Sequence, residues 1–482
     1  MDHPEGLDIA ADGAVYVADL ANNRIDVFAP GGAFQFAFGK GVNPAGGDVC
    51  TPASGCRGGT MSGDAGGISL PEDVAIGADG AVYVSDSSNA RIDVFAPGGA
   101  FQFAFGKGVN SAGGDVCTAS CKAGVEDESA ASLSGPTGVA IAPDGSVFVA
   151  NSKYHRVDVF SAQGTFLYAF GKGVNPAGGD VCTATSGCRK GSEGGEAGSL
   201  GLPSGVEVVD GATVLVADLR NHRVDDFSPQ GTFVAAFGKN VAKGGGDICL
   251  AGQECQAGFF LEFGAGELKE PWAIAPAGPG AFYVSDAGAN RVSEYSLSSG
   301  FVRAFGAGVI DGGEAFEECT VATKCKGGNQ NSRGPGGITI PAGMATDCRG
   351  ALYVAETSTE TRIERFGEAG TPPCTPPNPP PAGSSSNRFK FGKLKLNRRK
   401  GTATLTVVVP GPGRLTLKGR GVRRATAMAR RAGTLKLLVR AMGTAKRTLA
   451  RTGTVKLKAL VTFAPTGGTA LTRPKLVRLK LG

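Results

Sequence analysis

Residues 388–482 contain no aspartate and no glutamate, and their only aromatics are Phe389, Phe391 and Phe463. Without Tyr or Trp this segment has no stacking platform for bases, which argues against nucleic acid as the target of its 25 lysines and arginines. The whole chain holds three histidines (His3, His155 and His222) and one tryptophan, Trp272. No GxSxG, HExxH, phosphate-binding loop or Cx2C spacing occurs. That removes the usual signatures of nucleophile-elbow hydrolases, zincins, P-loop enzymes and zinc ribbons. No apolar run is long enough for a membrane-spanning helix, and no secretory leader is visible at the N-terminus.

Charge is abundant but segregated. Residues 1–387 carry 24 Lys and Arg against 43 Asp and Glu, a balance of −19, while residues 388–482 are +25, giving the net +6. Glycine accounts for 78 of 482 residues without a Gly-X-Y period, which suits many short strands joined by turns. The cysteines number twelve, and ten stand in close pairs: Cys50/Cys56, Cys117/Cys121, Cys182/Cys188, Cys249/Cys255 and Cys319/Cys325. Cys348 and Cys374 remain as a sixth pair. The spacing predicts disulfides, and with them an oxidising compartment.

One passage, VYVSDSSNARIDVF at 82–95, recurs with small changes at 15–28, 147–160, 214–227, 282–295 and 352–366. Aligned on Arg24, Arg91, Arg156, Arg223, Arg291 and Arg362, the copies are 67, 65, 67, 68 and 71 residues apart. Each unit opens with a Pro-led apolar stretch such as LPEDVAIG, then turns at a DG, runs through VYV, turns again at Asp, continues as RIDVF, and ends in FQFAFG. Period-two alternation predicts four antiparallel strands per unit. Six such sheets bury both faces only when packed radially, so the expected fold is all-β: a six-bladed propeller. Val82 and Val84 should face one neighbouring blade and Tyr83 the other. Trp272 is expected in the core of the fifth unit.

The pattern LPxxVAI…DGxVYVSD…NxRIDVF…GxF…FG, repeated over about residues 4–367, resembles the NHL repeat. The resemblance implies a six-bladed propeller and a general binding role. Some propellers resembling this one are lyases or lactonases that gather His, Glu or Asp on a central metal. Here the histidines offer little towards that, because His155 and His222 occupy matching turn positions.

An acid and an arginine face each other across the second turn: Asp19/Arg24, Asp86/Arg91, Asn151/Arg156, Asp218/Arg223, Asp286/Arg291 and Glu356/Arg362. Six equivalent copies suit a structural pair better than a ligand site. The acid is expected to cap turn N–H groups, and the arginine to bridge to it or to the acid two residues on, such as Asp93. Antiparallel order puts these turns on the same face as the cysteine-bearing connectors. Those connectors run about 30 residues and repeat GGDVC or GGDIC, so Asp48, Asp115, Asp180 and Asp247 are candidate binding-face residues. The alternative is that the connectors merely shield sheet edges.

The chain begins inside a unit's first strand, and the sixth unit has no Phe-rich fourth strand. An upstream start supplying a leader and that strand is the expectation. The domain reading is a propeller over 1–369, a Pro/Ser-rich linker over 370–387 and a basic β-sandwich over 388–482, the last from five strands that alternate apolar residues with Lys, Arg or Thr. It loosely resembles the basic sandwich modules at the ends of bacterial secreted proteins. The functional reading is a secreted or cell-surface binding or scaffold protein, a monomer with no cofactor. Its connector face would take a protein or glycan, and its basic domain would hold anionic cell-wall polymer or lipid headgroups, or the acidic propeller itself. The rivals are a lyase- or lactonase-type enzyme and a purely structural envelope protein.

Overall fold

The structure, a computed structural model, describes residues 1–358, 361–367, 389–409, 413–429, 433–465 and 471–482. They fall into two compact units, Met1–Pro377 and Asn378–Gly482. The expected linker, 370–387, lies outside the described residues, as does Cys374. Among the described residues no helix is long and apolar enough to cross a membrane.

The first unit is the six-bladed propeller. In blade 1 the strands are Pro4–Ile9, Val15–Asp19, Arg24–Phe28, Phe34–Phe38 and Val49–Cys50, hydrogen-bonded in chain order as an antiparallel meander. Blades 2 to 5 repeat this, and blade 6 has three strands among the described residues: Pro341–Thr346, Leu352–Glu356 and Arg362–Phe366. The innermost strands pack one against the next around the ring, and Pro341–Thr346 of blade 6 lies against Pro4–Ile9 of blade 1, so the propeller closes. Apolar clusters fill each seam between blades. Val82 and Val84 join Phe38 on the blade 1 side, while Tyr83 joins Phe160 on the blade 3 side, as alternation requires. Phe38 on Phe95, Phe105 on Phe160 and Phe170 on Phe227 all meet at 4.9 Å between ring centroids.

Blades 1 to 5 have five strands, not the expected four. The extra strand is short, as in Val116–Cys117, and pairs with the fourth so that Cys50 stands opposite Ala37, Cys117 opposite Ala104 and Cys182 opposite Ala169. It is too short and too glycine-flanked to show alternation. Each connector's first cysteine is thereby buried against an alanine and a valine, such as Ala104 and Val109, in a small apolar cluster of its own. The five close pairs are bonded: Cys50–Cys56, Cys117–Cys121, Cys182–Cys188, Cys249–Cys255 and Cys319–Cys325. Cys348 is disulfide-bonded as well.

The second unit is a β-sandwich. One sheet holds Lys390–Asn397, Thr402–Val409 and Gly433–Arg440; the other holds Val422–Ala429, Gly413–Gly419, Thr454–Pro465 and Leu471–Lys480. Leu405, Val407 and Val439 of the first meet Leu417, Val461 and Leu479 of the second in one core. A helix, Gly443–Thr452, was not expected from the sequence and contributes Leu449 to that core. The alternate positions carry the Lys and Arg outward.

Each small disulfide loop restricts little chain, so each bond is worth about 2 kcal/mol and holds a connector, not a blade. Reduction should therefore leave the far-UV β spectrum intact while exposing the bonds after Arg57, Lys122, Arg189 and Lys326 to trypsin. Each of these follows the second cysteine of a pair. Loss of the β spectrum on reduction would contradict this.

Candidate functional site

Two places on the propeller gather chemistry: the rim built by the connectors, and the axial channel. At the rim, Arg91, Arg156, Arg223 and Arg291 are completely buried. Arg91 Nε lies 3.3 Å from Asp86 and 2.8 Å from Asp93. Arg223 Nε likewise lies 3.4 Å from Asp218 and 2.9 Å from Asp225, while Arg24 meets Asp19 through Nη2 (3.1 Å) and Asp26 through Nε (2.8 Å). In blade 3, Arg156 meets Asp158 at 2.8 Å, and Asn151 donates to Asp158 instead of pairing with the arginine. In blade 5, Asp286 stands 3.9 Å from Arg291, and in blade 6, Glu356 stands 3.2 Å from Arg362.

The guanidinium tips turn to the connectors. Arg156 Nη1 donates to the Glu128 carbonyl at 2.5 Å and the Arg189 carbonyl at 3.2 Å, and Nη2 donates to Ser129 and Ser132 carbonyls at 2.9 and 3.0 Å. Glu128, Ser129 and Ser132 belong to the connector entering blade 3, and Arg189 to the one leaving it. One buried cation thus holds two connectors, and no Nη donor is left for a ligand. The acids do not cap the turn: Asp86 Oδ1 accepts from Ser69 N at 2.9 Å, and Asp218 Oδ1 from Gly201 N at 2.5 Å. They pin the last residues of the incoming connector, a long-range contact the local sequence does not announce.

Asp48, Asp115, Asp180 and Asp247 sit in the connectors as expected. Each gives one oxygen to a loop amide: Gly41, Gly108 and Gly173 at 2.8, 2.9 and 2.8 Å, and Asn240 at 3.0 Å. Glu317 does the same for Ile310 at 2.6 Å in the fifth connector, where the GGD word is lost. Asp180 and Asp247 also meet Lys172 and Lys239 at 3.6 and 3.1 Å. The rim carries exposed apolar side chains: Met61, Leu261 and Val321 are 65, 73 and 71% exposed, and Phe259 45%. His155 and His222 lie in the second turns with left-handed backbone. His155 Nδ1 accepts from Leu202 N at 3.2 Å, tying blade 3 to blade 4.

The axial channel is the place the sequence did not reveal. It encloses about 190 Å³ among the innermost strands and is lined by Asp8, Glu72, Asp73, Glu207 and Trp272, with Glu5 beside them. Trp272 is therefore half-buried at the axis, not in the core of its blade. Glycines let the strands crowd together: a Cβ at Gly6 would collide with Asp73, and one at Gly343 with Glu5. Asp8 accepts from Ile9 N and, across the seam, from Ile76 N, both at 2.7 Å. Asp73 bridges the next seam by accepting from Val139 N at 2.9 Å. Burial pushes Asp8 up to about 6 against the pull of those amides, and Glu207 up to about 7, with the Asp8 charge adding to it. Burial, then the charge of Glu72, raises Glu5 to about 8. Burial also raises Glu72 and Asp73. Among the described residues no three His, Cys, Asp or Glu side chains are placed to hold a metal ion.

Residues 133–160 match the NHL repeat family, and these residues are blade 3's connector end and first three strands. The blade-forming repeat is an NHL repeat. Residues 63–88 of the NHL propeller also match the strictosidine synthase-like N-terminal family. No curated protein matches the chain. Solved structures with a similar fold include virginiamycin B lyase from Staphylococcus aureus, at 12% identity and TM-score 0.40 over 75% of this chain and 94% of that one. A gluconolactonase from Xanthomonas campestris shows 12% identity and TM-score 0.37 over 74% and 84%. A chain of a nidogen/laminin complex shows 15% and 0.35 over 62% and 79%. Likenesses this distant bear on neither activity nor ligand.

The axial acids give the NHL propeller a definite pH dependence. A carboxyl whose folded pKa is raised contributes stability that is complete below its unfolded value and is lost as pH rises through the folded value. Glu207 and Glu5 place that loss between about pH 4.5 and 8. His155, whose pKa burial lowers, acts the other way, but only below its ordinary 6.5. Between pH 6.5 and 8.5 the propeller's melting temperature should fall, and Glu5→Gln with Glu207→Gln should flatten the curve. A melting temperature that rises over this interval would be the contrary result.

Proposed function

We propose that this is a secreted or cell-surface binding protein whose connector rim engages a protein or glycan and whose basic sandwich retains it on an anionic envelope polymer. The observation that carries the reading is the rim itself. Long glycine-rich loops are held by a disulfide, a buried arginine and a carboxylate-to-amide bond apiece, and they present exposed Met61, Phe259, Leu261 and Val321. Ordering such loops ahead of binding lowers the entropy lost when a partner docks. Disulfides on this scale belong to an oxidising compartment.

The sandwich supports retention by charge. Its outward strand positions carry Lys and Arg with no acid among residues 388–482. Its aromatics are already used: Phe389 and Phe463 are buried, and Phe391 lies under Arg473 and Lys475 at 5.3 and 5.2 Å. Anionic polymer or lipid headgroups suit such a surface better than bases do. A lyase- or lactonase-type enzyme working at the axial channel is the second reading, and the carboxylates gathered there favour it. Against it, Asp8, Asp73 and Glu207 are each engaged by backbone amides.

The full chain should bind purified anionic wall polymer or phosphatidylglycerol vesicles at about 50 mM salt and release at about 0.5 M. Cross-links to isolated envelopes should fall on the connector rim. Salt-independent retention, or cross-links confined to the opposite rim, would reject the reading. One tightly held metal per chain would favour the enzyme.

A further inference from the structure

The four-stranded sheet of the basic sandwich has an outer face that alternation alone does not explain. Leu415, Leu417, Val461 and Phe463 point into the core, so Arg414, Thr416, Lys418 and Thr462 point out. On the edge strand Val422–Ala429 the outward residues are Arg424, Thr426 and Met428. Threonine suits any exposed strand position, but here the register aligns it. Thr426 stands opposite Thr416, Thr416 opposite Thr462, and Thr462 opposite Thr472. One threonine from each of four neighbouring strands thus forms a single rank across the sheet. The hydroxyls of Thr462 and Thr472 lie 2.8 Å apart.

Cations flank this rank. Arg414 and Lys418 stand two positions to either side of Thr416, and Arg424 two positions from Thr426, all three exposed. Two strand positions span about 6.6 Å, a gap that a long Lys or Arg stem crosses easily. Arg414, Arg424, Thr426 and Met428 line an open groove at this end of the rank. Residues 388–482 hold no acid, so the face is complementary to an anionic partner along its whole length. The other sheet provides the contrast. Its outward threonines, Thr402, Thr404 and Thr406, follow one another along one strand and face Arg440, Leu438 and Lys436, so they form no rank.

We infer that the rank Thr426–Thr416–Thr462–Thr472 is the seat of a linear anionic glycan that lies across the four strands. The inference rests on retention by charge and adds to it the face used and the class of polymer. Neighbouring strands are about 4.8 Å apart, close to the length of one extended sugar residue, so successive threonines meet successive sugars. Each hydroxyl can donate to a sugar oxygen and accept from a sugar hydroxyl. The flanking guanidiniums suit carboxylate or phosphate groups, which they hold by paired hydrogen bonds. Phe389 and Phe463 are buried, so the sugars are gripped by their edges and not by stacking. A lipid bilayer is the competing occupant, because Leu460, Pro474 and the 77% exposed Leu476 adjoin on the same face. The glycan is favoured because it uses hydroxyls and cations in register, whereas a bilayer has no use for the rank.

The test titrates the full chain with polygalacturonate at about 50 mM salt, and separately with polyglutamate, a polyanion without sugar hydroxyls. Thr416→Val combined with Thr462→Val keeps charge, shape and strand preference. It should weaken polygalacturonate binding by at least about tenfold and leave polyglutamate binding within about twofold. The same exchange at Thr404 and Thr406, on the other sheet, should change neither. Equal loss towards both polyanions, no loss towards either, or binding of polyglutamate alone by the unaltered chain would overturn the inference and leave charge retention standing. So would a preference for phosphatidylglycerol vesicles that Leu476→Ser abolishes. If the unaltered chain bound neither polyanion, retention by charge would fall together with the inference.

Discussion

The rim of this propeller depends on one arginine per blade, completely buried in blades 2 to 5. Taking a guanidinium out of water is expensive, and the cost is offset only when its donors all find partners. The NHL blade meets that condition by placing an acid five residues before the arginine, usually another two residues after it, and connector carbonyls at its tips. The result is that loops too glycine-rich to order themselves inherit the order of the sheet. Disulfides then tighten each loop locally, while the arginine decides where the loop goes.

The exceptions show what the arrangement needs. In blade 5 the second acid is replaced by Ser293, and Arg291 Nε, Asp286 Oδ2 and Ser293 Oγ are all buried without a hydrogen-bond partner. Arg291 still holds carbonyls of Phe263 and Lys326 at 2.5 and 2.9 Å, so both connectors remain attached. Among the described residues, Arg24 holds the Arg57 carbonyl of the connector leaving blade 1, and Arg362 holds carbonyls of the connector entering blade 6.

Much of this was legible in the sequence because a two-residue alternation, repeated six times, leaves few ways to bury both faces of a sheet. The cysteine pairs were legible because each recurs at one point of the unit. The fifth strand was not, because in blades 1 to 3 it is two residues long and cannot show a period. The axial carboxylates escaped for a different reason: in a strand, a residue aimed at the channel and one aimed at bulk water have the same alternation, so Asp8 and Glu207 read as ordinary polar positions. Trp272 misled for the complementary reason, since a large apolar residue in an inner strand looks like core until the ring places it at the axis. The role of the turn acids was half legible. Their pairing with arginine is local, but their bonds to Ser69 and Gly201 span 17 residues.

The rim's rigidity is what makes it usable as a binding surface, and the arginine is what makes it rigid. The most direct measurement is hydrogen exchange on Arg156→Met, because Arg156 grips both flanking connectors and its removal leaves Asp158 buried without its counter-charge. The account predicts faster exchange in the connector around Glu128–Ser132 and in the one around Arg189 together, with Cys117–Cys121 and Cys182–Cys188 still bonded and the connectors beyond blade 4 unchanged. Unaltered exchange in both flanking connectors, or loosening spread evenly around the ring, would contradict it.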